Sequence, residues 1–274
     1  MTTIAQACAE VLREHDPLAK VRRARAVARA WRRGTLAHEF DTAMPDEPGR
    51  PARPELLPPN RMPKRGRGGS EKGRIALLHA LAHIEFAAID LAFDAAGRFG
   101  AQFPRTFVDD WISVGADEAM HFAVLHRRLR TLGSGYGELP AHAGLWEAAE
   151  ETVHDAMARL AVVPMVLEAR GLDVTPETVA RFKAGGDEVS ARILHRIYTD
   201  EIRHVGFGAK WFGYLAAGQD IDPAEQWRML VRRHFRGVVK PPFNDSARAT
   251  AGLTRDFYAP LADMEPEQAQ AERL

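Results

Sequence analysis

Along most of the chain, apolar residues return every three or four positions, the period of an amphipathic helix. Strand-like alternation is hard to find. The pattern predicts helices over residues 3–14, 17–32, 71–98, 105–132, 143–170, 187–215, 223–237 and 245–257. Residues 41–69 break the rhythm. Seven of the 17 prolines fall between Pro45 and Pro63, and the stretch ends in the basic, glycine-rich NRMPKRGRGG. Proline lacks the N–H that helix and sheet need, so this must be an extended connection. Either it lies along the body or it separates an N-terminal arm from it. A turn-rich stretch, LGSGYGELPAHAG (132–144), splits the core region, and KPPFN (240–244) should break a later helix. The predicted fold is all-α. It has an N-terminal helical arm and connector packing on the core (1–69), an antiparallel four-helix bundle (70–216) and a C-terminal helical extension (217–274).

Within the four central helices the apolar stripe is interrupted by glutamate. Glu85 lies at helical spacing from Leu78, Leu81, Ile89 and Ala92. Glu118 shares a face with Trp111, Val114, Phe122 and Leu125, and Glu168 with Met157, Ala161 and Pro164. Glu201 shares one with Leu194, Ile197, Val205 and Gly208. An unpaired carboxylate in such a stripe costs several kcal/mol unless it is neutralised, paired or bound to metal. Four of them facing one core would also repel each other, and a cation relieves both costs. The competing reading pairs each glutamate with a buried Arg or Lys, but the four stripes supply no cation.

Two of these glutamates continue as Glu-x-x-His: Glu118 with His121, and Glu201 with His204. Residues three apart on a helix share a side, so both can reach one ion. Four carboxylates and two imidazoles, two of the helices giving Glu-x-x-His, are the ligand recipe of dimetal helical bundles. Oxygen and nitrogen donors without sulfur suit iron or manganese. The order is also duplicated, with 33 residues from Glu85 to Glu118 and 33 from Glu168 to Glu201. That spacing suits about fourteen residues out, a turn and about fourteen back, a helix pair that returns to the same height. A third Glu-x-x-His, Glu151 with His154, also follows Glu118 by 33 residues. Its face carries Glu147, Asp155 and Arg159 and reads as solvated, so it is set aside. Glu168 stands just before an expected helix stop at Gly171. The symmetry therefore requires DVTPETVARFKAG to carry the broken helix onward.

Other polar residues have plainer explanations. His79, His83, Asp90 and Asp94 lie roughly opposite Glu85 and either orient ligands or, the favoured reading, pack against the arm. Tyr198, one turn before Glu201, reads as an ordinary core tyrosine. Asp117 and Asp200 point about 100° from their glutamate neighbours and are left out of the ligand set. The basic runs 20–33 and 60–74 could meet phosphates. The first has Ala, Val and Trp on its other face and is explained by docking on the bundle, so nucleic acid is not the expected partner.

Composition narrows the classes further. With 46% hydrophobic and 27% charged residues among 274, the chain is globular and needs no staples. Its 37 basic and 37 acidic residues balance, so bulk charge names no partner. The single cysteine, Cys8, excludes an internal disulfide and a thiolate-ligated cluster, and fits a cytoplasmic setting. No signal peptide is read at the N-terminus, and no apolar run is expected to reach the roughly 18–20 residues of a membrane span. No nucleotide, flavin or haem fingerprint occurs.

The strings HALAHIEFAAIDL, DDWISVGADEAMHF, YGELPAHAGLWEAA, ARLAVVPMVLEARGLDVTP, IYTDEIRHV and KPPFN resemble the ferritin-like superfamily. More closely they resemble the uncharacterised bacterial ferritin-like family called domain of unknown function 455, over nearly the whole chain. The resemblance implies a dimetal site at Glu85, Glu118, His121, Glu168, Glu201 and His204 and supplies no substrate. The expected function is a di-iron or manganese–iron oxidoreductase that uses O₂ to oxidise or hydroxylate an unknown small molecule. Iron is the first choice of metal and manganese the second. Electrons would come from an external donor, and a homodimer is compatible. The alternatives are a metal-binding or peroxide-consuming protein with no organic substrate, and a tRNA-modifying hydroxylase.

Overall fold

The computed structural model describes residues 1–63 and 70–262. The chain is all-helical, and the described residues form no strand beyond two isolated bridges, Thr3 with Ala37 and Leu56 with Ala141. Part of the second basic run, residues 64–69, lies outside the described residues. Two compact units divide the chain, Met1–Trp146 and Glu147–Leu274.

The first unit is built on α3 (Glu71–Phe99) and α4 (Arg105–Thr131), preceded by α1 (Ile4–Arg13) and α2 (Pro17–Arg32). Three of the four starts are written in the sequence: Thr3, Asp16 and Ser70 cap α1, α2 and α3 with their side-chain oxygens, and Pro17 fills the first position of α2. α3 and α4 form a helix pair, with α1 against α3 and α2 against α4. Val21, Ala24, Val27, Ala28 and Trp31 of α2 are buried, while Arg22, Arg23, Arg25 and Arg29 face solvent. Trp31 donates Nε1–H to Asp109 at 2.7 Å and carries the Arg105 guanidinium over its ring at 3.8 Å.

The proline-rich connector lies along this unit. Arg98 donates to Pro45 O at 3.0 Å, and Ala141 exchanges backbone bonds with Glu55 (2.9 Å) and Leu57 (2.8 Å). α3 corrects one expectation: by length and composition alone it is apolar enough to cross a membrane. Its many alanines hide the stretch from a search for continuous large apolar residues, and two-thirds of that stretch is buried.

The second unit revises the predicted helix 143–170. Its pieces are α5 (Gly144–Glu150), which begins before the unit boundary, then α6 (Ala156–Val162), a π-helical turn (Val163–Glu168) and α7 (Ala169–Ala184). Asp155 starts α6 by accepting from Met157 N and Ala158 N, which is why the helix restarts there. Arg159, expected on a solvated face, is buried and bonds Thr152 Oγ1 and Ala149 O. Gly171 is no stop. α7 runs through it and through Pro176 to Ala184. α8 (Glu188–Gly218), α9 (Pro223–His234), α10 (Asp245–Thr250) and α11 (Arg255–Ala262) follow. The predicted 245–257 helix is thus two pieces, and α9 stops at His234.

The irregular third helix is repaired by its neighbours. Pro176 has no N–H for the carbonyl four residues back, Leu172 O. Asn244 of the KPPFN segment donates Nδ2–H to that carbonyl at 3.1 Å, and to Tyr198 Oη at 3.1 Å. Asp173 holds the same segment from below, accepting Asn244 N at 3.0 Å and both arms of the Arg248 guanidinium at 2.8 Å. Pro164 sits in the wider π turn, where a regular α-turn would bring its ring against a backbone carbonyl. Gly208 of α8 packs on it so closely that a Cβ there would lie 2.6 Å from Pro164 Cβ.

Candidate metal centre

α3 and α4 bring Glu85, Glu118 and His121 together. All three side chains are buried, at 5%, 1% and 0% exposure. His121 Nδ1 lies 3.2 Å from Glu85 Oε2 and 3.2 Å from Glu118 Oε2, so one imidazole nitrogen stands between two carboxylates. Their donor atoms all fall within 4.8 Å of one another. The helix pair sets this up: Glu118 and His121 share a side of α4, and the turn at residues 100–104 returns the chain to the height of Glu85.

Burial pushes the Glu85 carboxyl well above the usual carboxylate range, and the neighbouring Glu118 charge adds to the rise while His121 opposes it. A buried group of oxygen and nitrogen donors this close together could hold a metal ion. No Arg or Lys from either helix is bonded to Glu85.

In the second unit, His204 Nδ1 lies 3.5 Å from Glu201 Oε1 on α8, with His204 fully buried. Glu168 ends the π turn and is half-buried. The π turn packs on α8, with Pro164 against Gly208. That contact sets the register of the helix pair that carries Glu168 and the Glu201–His204 pair.

The remaining candidates are structural in their contacts. Asp90 takes an ion pair from Lys20 of α2 at 2.5 Å, and both are buried. Burial raises the Asp90 carboxyl to about 6 even with Lys20 opposing. Asp94 pairs with Arg98 at 2.8 Å. His83 sits 2.9 Å from Tyr136 Oη and 3.2 Å from His142 O, and burial lowers its imidazole to about 4. His79 Nε2 accepts from Gly137 N at 2.9 Å. Asp200 pairs with Arg196 at 2.7 Å. Glu151 and His154 lie in the turn between α5 and α6, not on a helix, and Glu151 pairs with Arg236. Reading the helix faces missed Lys20, because a lysine among arginines on an amphipathic arm looks solvated.

Comparison with known proteins agrees with the sequence strings. An uncharacterised protein of Haemophilus influenzae is 41% identical over 211 residues, 75% of this chain and 73% of the relative. No solved structure matches the chain. The family described as protein of unknown function (DUF455) matches residues 13–259, from the end of α1 into α11, and so takes in α2, the proline-rich connector, the helices of Glu118-x-x-His121 and Glu201-x-x-His204 and the KPPFN segment. The chain belongs to that family.

Proposed function

We propose that this chain is a dimetal-carboxylate oxidoreductase whose ligands are Glu85, Glu118, His121, Glu168, Glu201 and His204. The observation that carries the reading is the buried meeting of two carboxylates at His121 Nδ1, 3.2 Å from each. Such a set is expensive to bury without a cation. The duplicated order of ligands in the second unit is what extends the proposal from one ion to two. Iron is the first choice of metal and manganese the second.

When bound, a reduced pair of such ions supplies electrons to O₂ for oxidation or hydroxylation of a substrate. The chain's own side chains do the rest. Glu85, Glu118, Glu168 and Glu201 would hold the ions and offset their positive charge. His121 and His204 would offer nitrogen donors from the same helix faces as Glu118 and Glu201. Trp111, Val114, Phe122 and Leu125, all buried, keep water from the α4 face. Cys8, the one cysteine, is buried, and its thiol is raised by burial. The sequence carries no flavin, haem or iron–sulfur motif, so electrons would come from a separate donor.

The test is metal stoichiometry in protein produced with iron and with manganese. About two tightly held ions per chain are expected, dropping to one or fewer in Glu118→Ala and in Glu201→Ala. Less than one ion per chain, unchanged in both variants, rejects the proposal.

A further inference from the structure

The second unit contains a half-open cavity of about 200 Å³ that the proposed ligands do not use. The π turn lines it with Met165, Val166 and Leu167, so the helix turn that carries Glu168 is also a cavity wall. Trp227, Phe243 and Val239 also line it, and Lys240, whose side chain is exposed, stands at its edge. The lining is mainly apolar, yet the charges around it do not balance. Arg170, Arg248 and Lys240 line it against a single carboxylate, Asp173.

The Arg248 guanidinium is committed to Asp173 through two 2.8 Å bonds. Arg170 uses only Nη1, to Lys240 O, Pro242 O and Asp173 Oδ2. Among the described residues its Nε and Nη2 make no hydrogen bond, and Lys240 Nζ has no carboxylate partner. Two cationic groups with spare donors thus edge an apolar hole. A volume below the roughly 300–1,000 Å³ of drug-sized sites suits a ligand of about ten non-hydrogen atoms.

We infer that this cavity binds a small amphipathic anion, an apolar body of about ten atoms carrying a carboxylate or phosphate head that meets Lys240 and Arg170 at the rim. This rests on the oxidoreductase reading only for its meaning, since it makes such an anion the substrate class. Binding itself needs no metal. The body would lie along Met165, Val166 and Leu167, on the wall that ends in Glu168.

Calorimetry on the full chain, treated with chelator, tests the proposal with octanoate, octyl phosphate, octan-1-ol and octylamine as probes. Octanoate or octyl phosphate should bind with a Kd of roughly 0.1–1 mM, and the alcohol and amine about tenfold more weakly. Whichever anion binds tighter identifies the head group. Lys240→Gln should cost either anion about tenfold and leave the alcohol unchanged, as expected for a partly desolvated charge contact. Val239→Trp should fill the cavity and abolish all binding while the helical circular dichroism stays intact. Equal affinity for anion, alcohol and amine, or anion binding that survives both variants, overturns the proposal. Binding by metal-free protein that never acquires metal would sink the oxidoreductase reading and leave this site standing.

Discussion

The buried ion pair between Lys20 and Asp90 gives the sharpest prediction. Lys20 is fully buried and Asp90 2% exposed, and Lys20 Nζ also donates to Gly49 O at 3.0 Å. It joins α2 to α3. The Asp90 carboxyl moves from its ordinary 3.8 to about 6 on folding. Between those values the folded protein holds more protons than the unfolded chain, so this group's contribution falls as pH rises through the window. A rise of about two pH units converts to about 3 kcal/mol against folding once pH exceeds 6. Lys20→Met removes the charge that keeps the rise this small. The carboxyl of the variant should then stay protonated past pH 7, and its penalty keeps growing by about 1.4 kcal/mol per pH unit where that of the native protein has levelled off. Adding about 1–2 kcal/mol for the Gly49 carbonyl left without its donor, the variant should lose roughly 1–2 kcal/mol at pH 5, about 2–3 at pH 7 and about 4 at pH 8. Urea unfolding at each pH, followed by circular dichroism, reads these differences. The double variant Lys20→Met/Asp90→Asn removes both charges and should regain much of the loss, because a buried pair is worth little over a neutral replacement. A Lys20→Met loss that is flat from pH 5 to pH 8, or a double variant no more stable than the single, would refute the account.

Other expectations are simpler to state. Asn244 also caps α10, its Oδ1 accepting from Ala247 N at 3.2 Å, so Asn244→Ala should cost about 2–4 kcal/mol, the sum of that lost cap and an orphaned Leu172 carbonyl. In a Pro176→Ala background the restored N–H at 176 can take that carbonyl, so the same change should cost about 1 kcal/mol less by a double-mutant cycle in chemical denaturation. Gly208→Val should overpack Pro164, cost about 1–3 kcal/mol in melting experiments and lower metal content by disturbing the π turn that ends in Glu168. Removing metal with a chelator should lower the melting temperature of protein prepared with iron, and restoring the ion should recover it. A melting temperature indifferent to metal would count against buried ligation.

Helical periodicity was legible because it is a local property. Several starts have their cap in the sequence, Asp16 with Pro17, Ser70, Asp187, and Asp222 with Pro223. The strings around Glu85, Glu118 and Glu201 were enough to place the chain in its family. The same local logic failed where distant residues repair a local fault. Gly171 read as a stop, yet α7 passes through it and through Pro176, where Asn244, more than sixty positions on, supplies the hydrogen bond that Pro176 cannot. The Glu151 and His154 pair was set aside because its face read as solvated; Arg159 is in fact buried, and the pair lies in a turn that no spacing rule foresees.

By itself, then, the chain's order of residues determined an all-helical protein with carboxylates sunk in apolar stripes at a repeated interval, since periodicity and burial cost act within a few residues. Tertiary structure decided which buried charge meets which. It set Lys20 against Asp90 and left Glu85 with Glu118 and His121 instead. A counter-charge comes from whichever side chain folding carries within about 3 Å, and that depends on helix packing, which one-dimensional spacing does not encode.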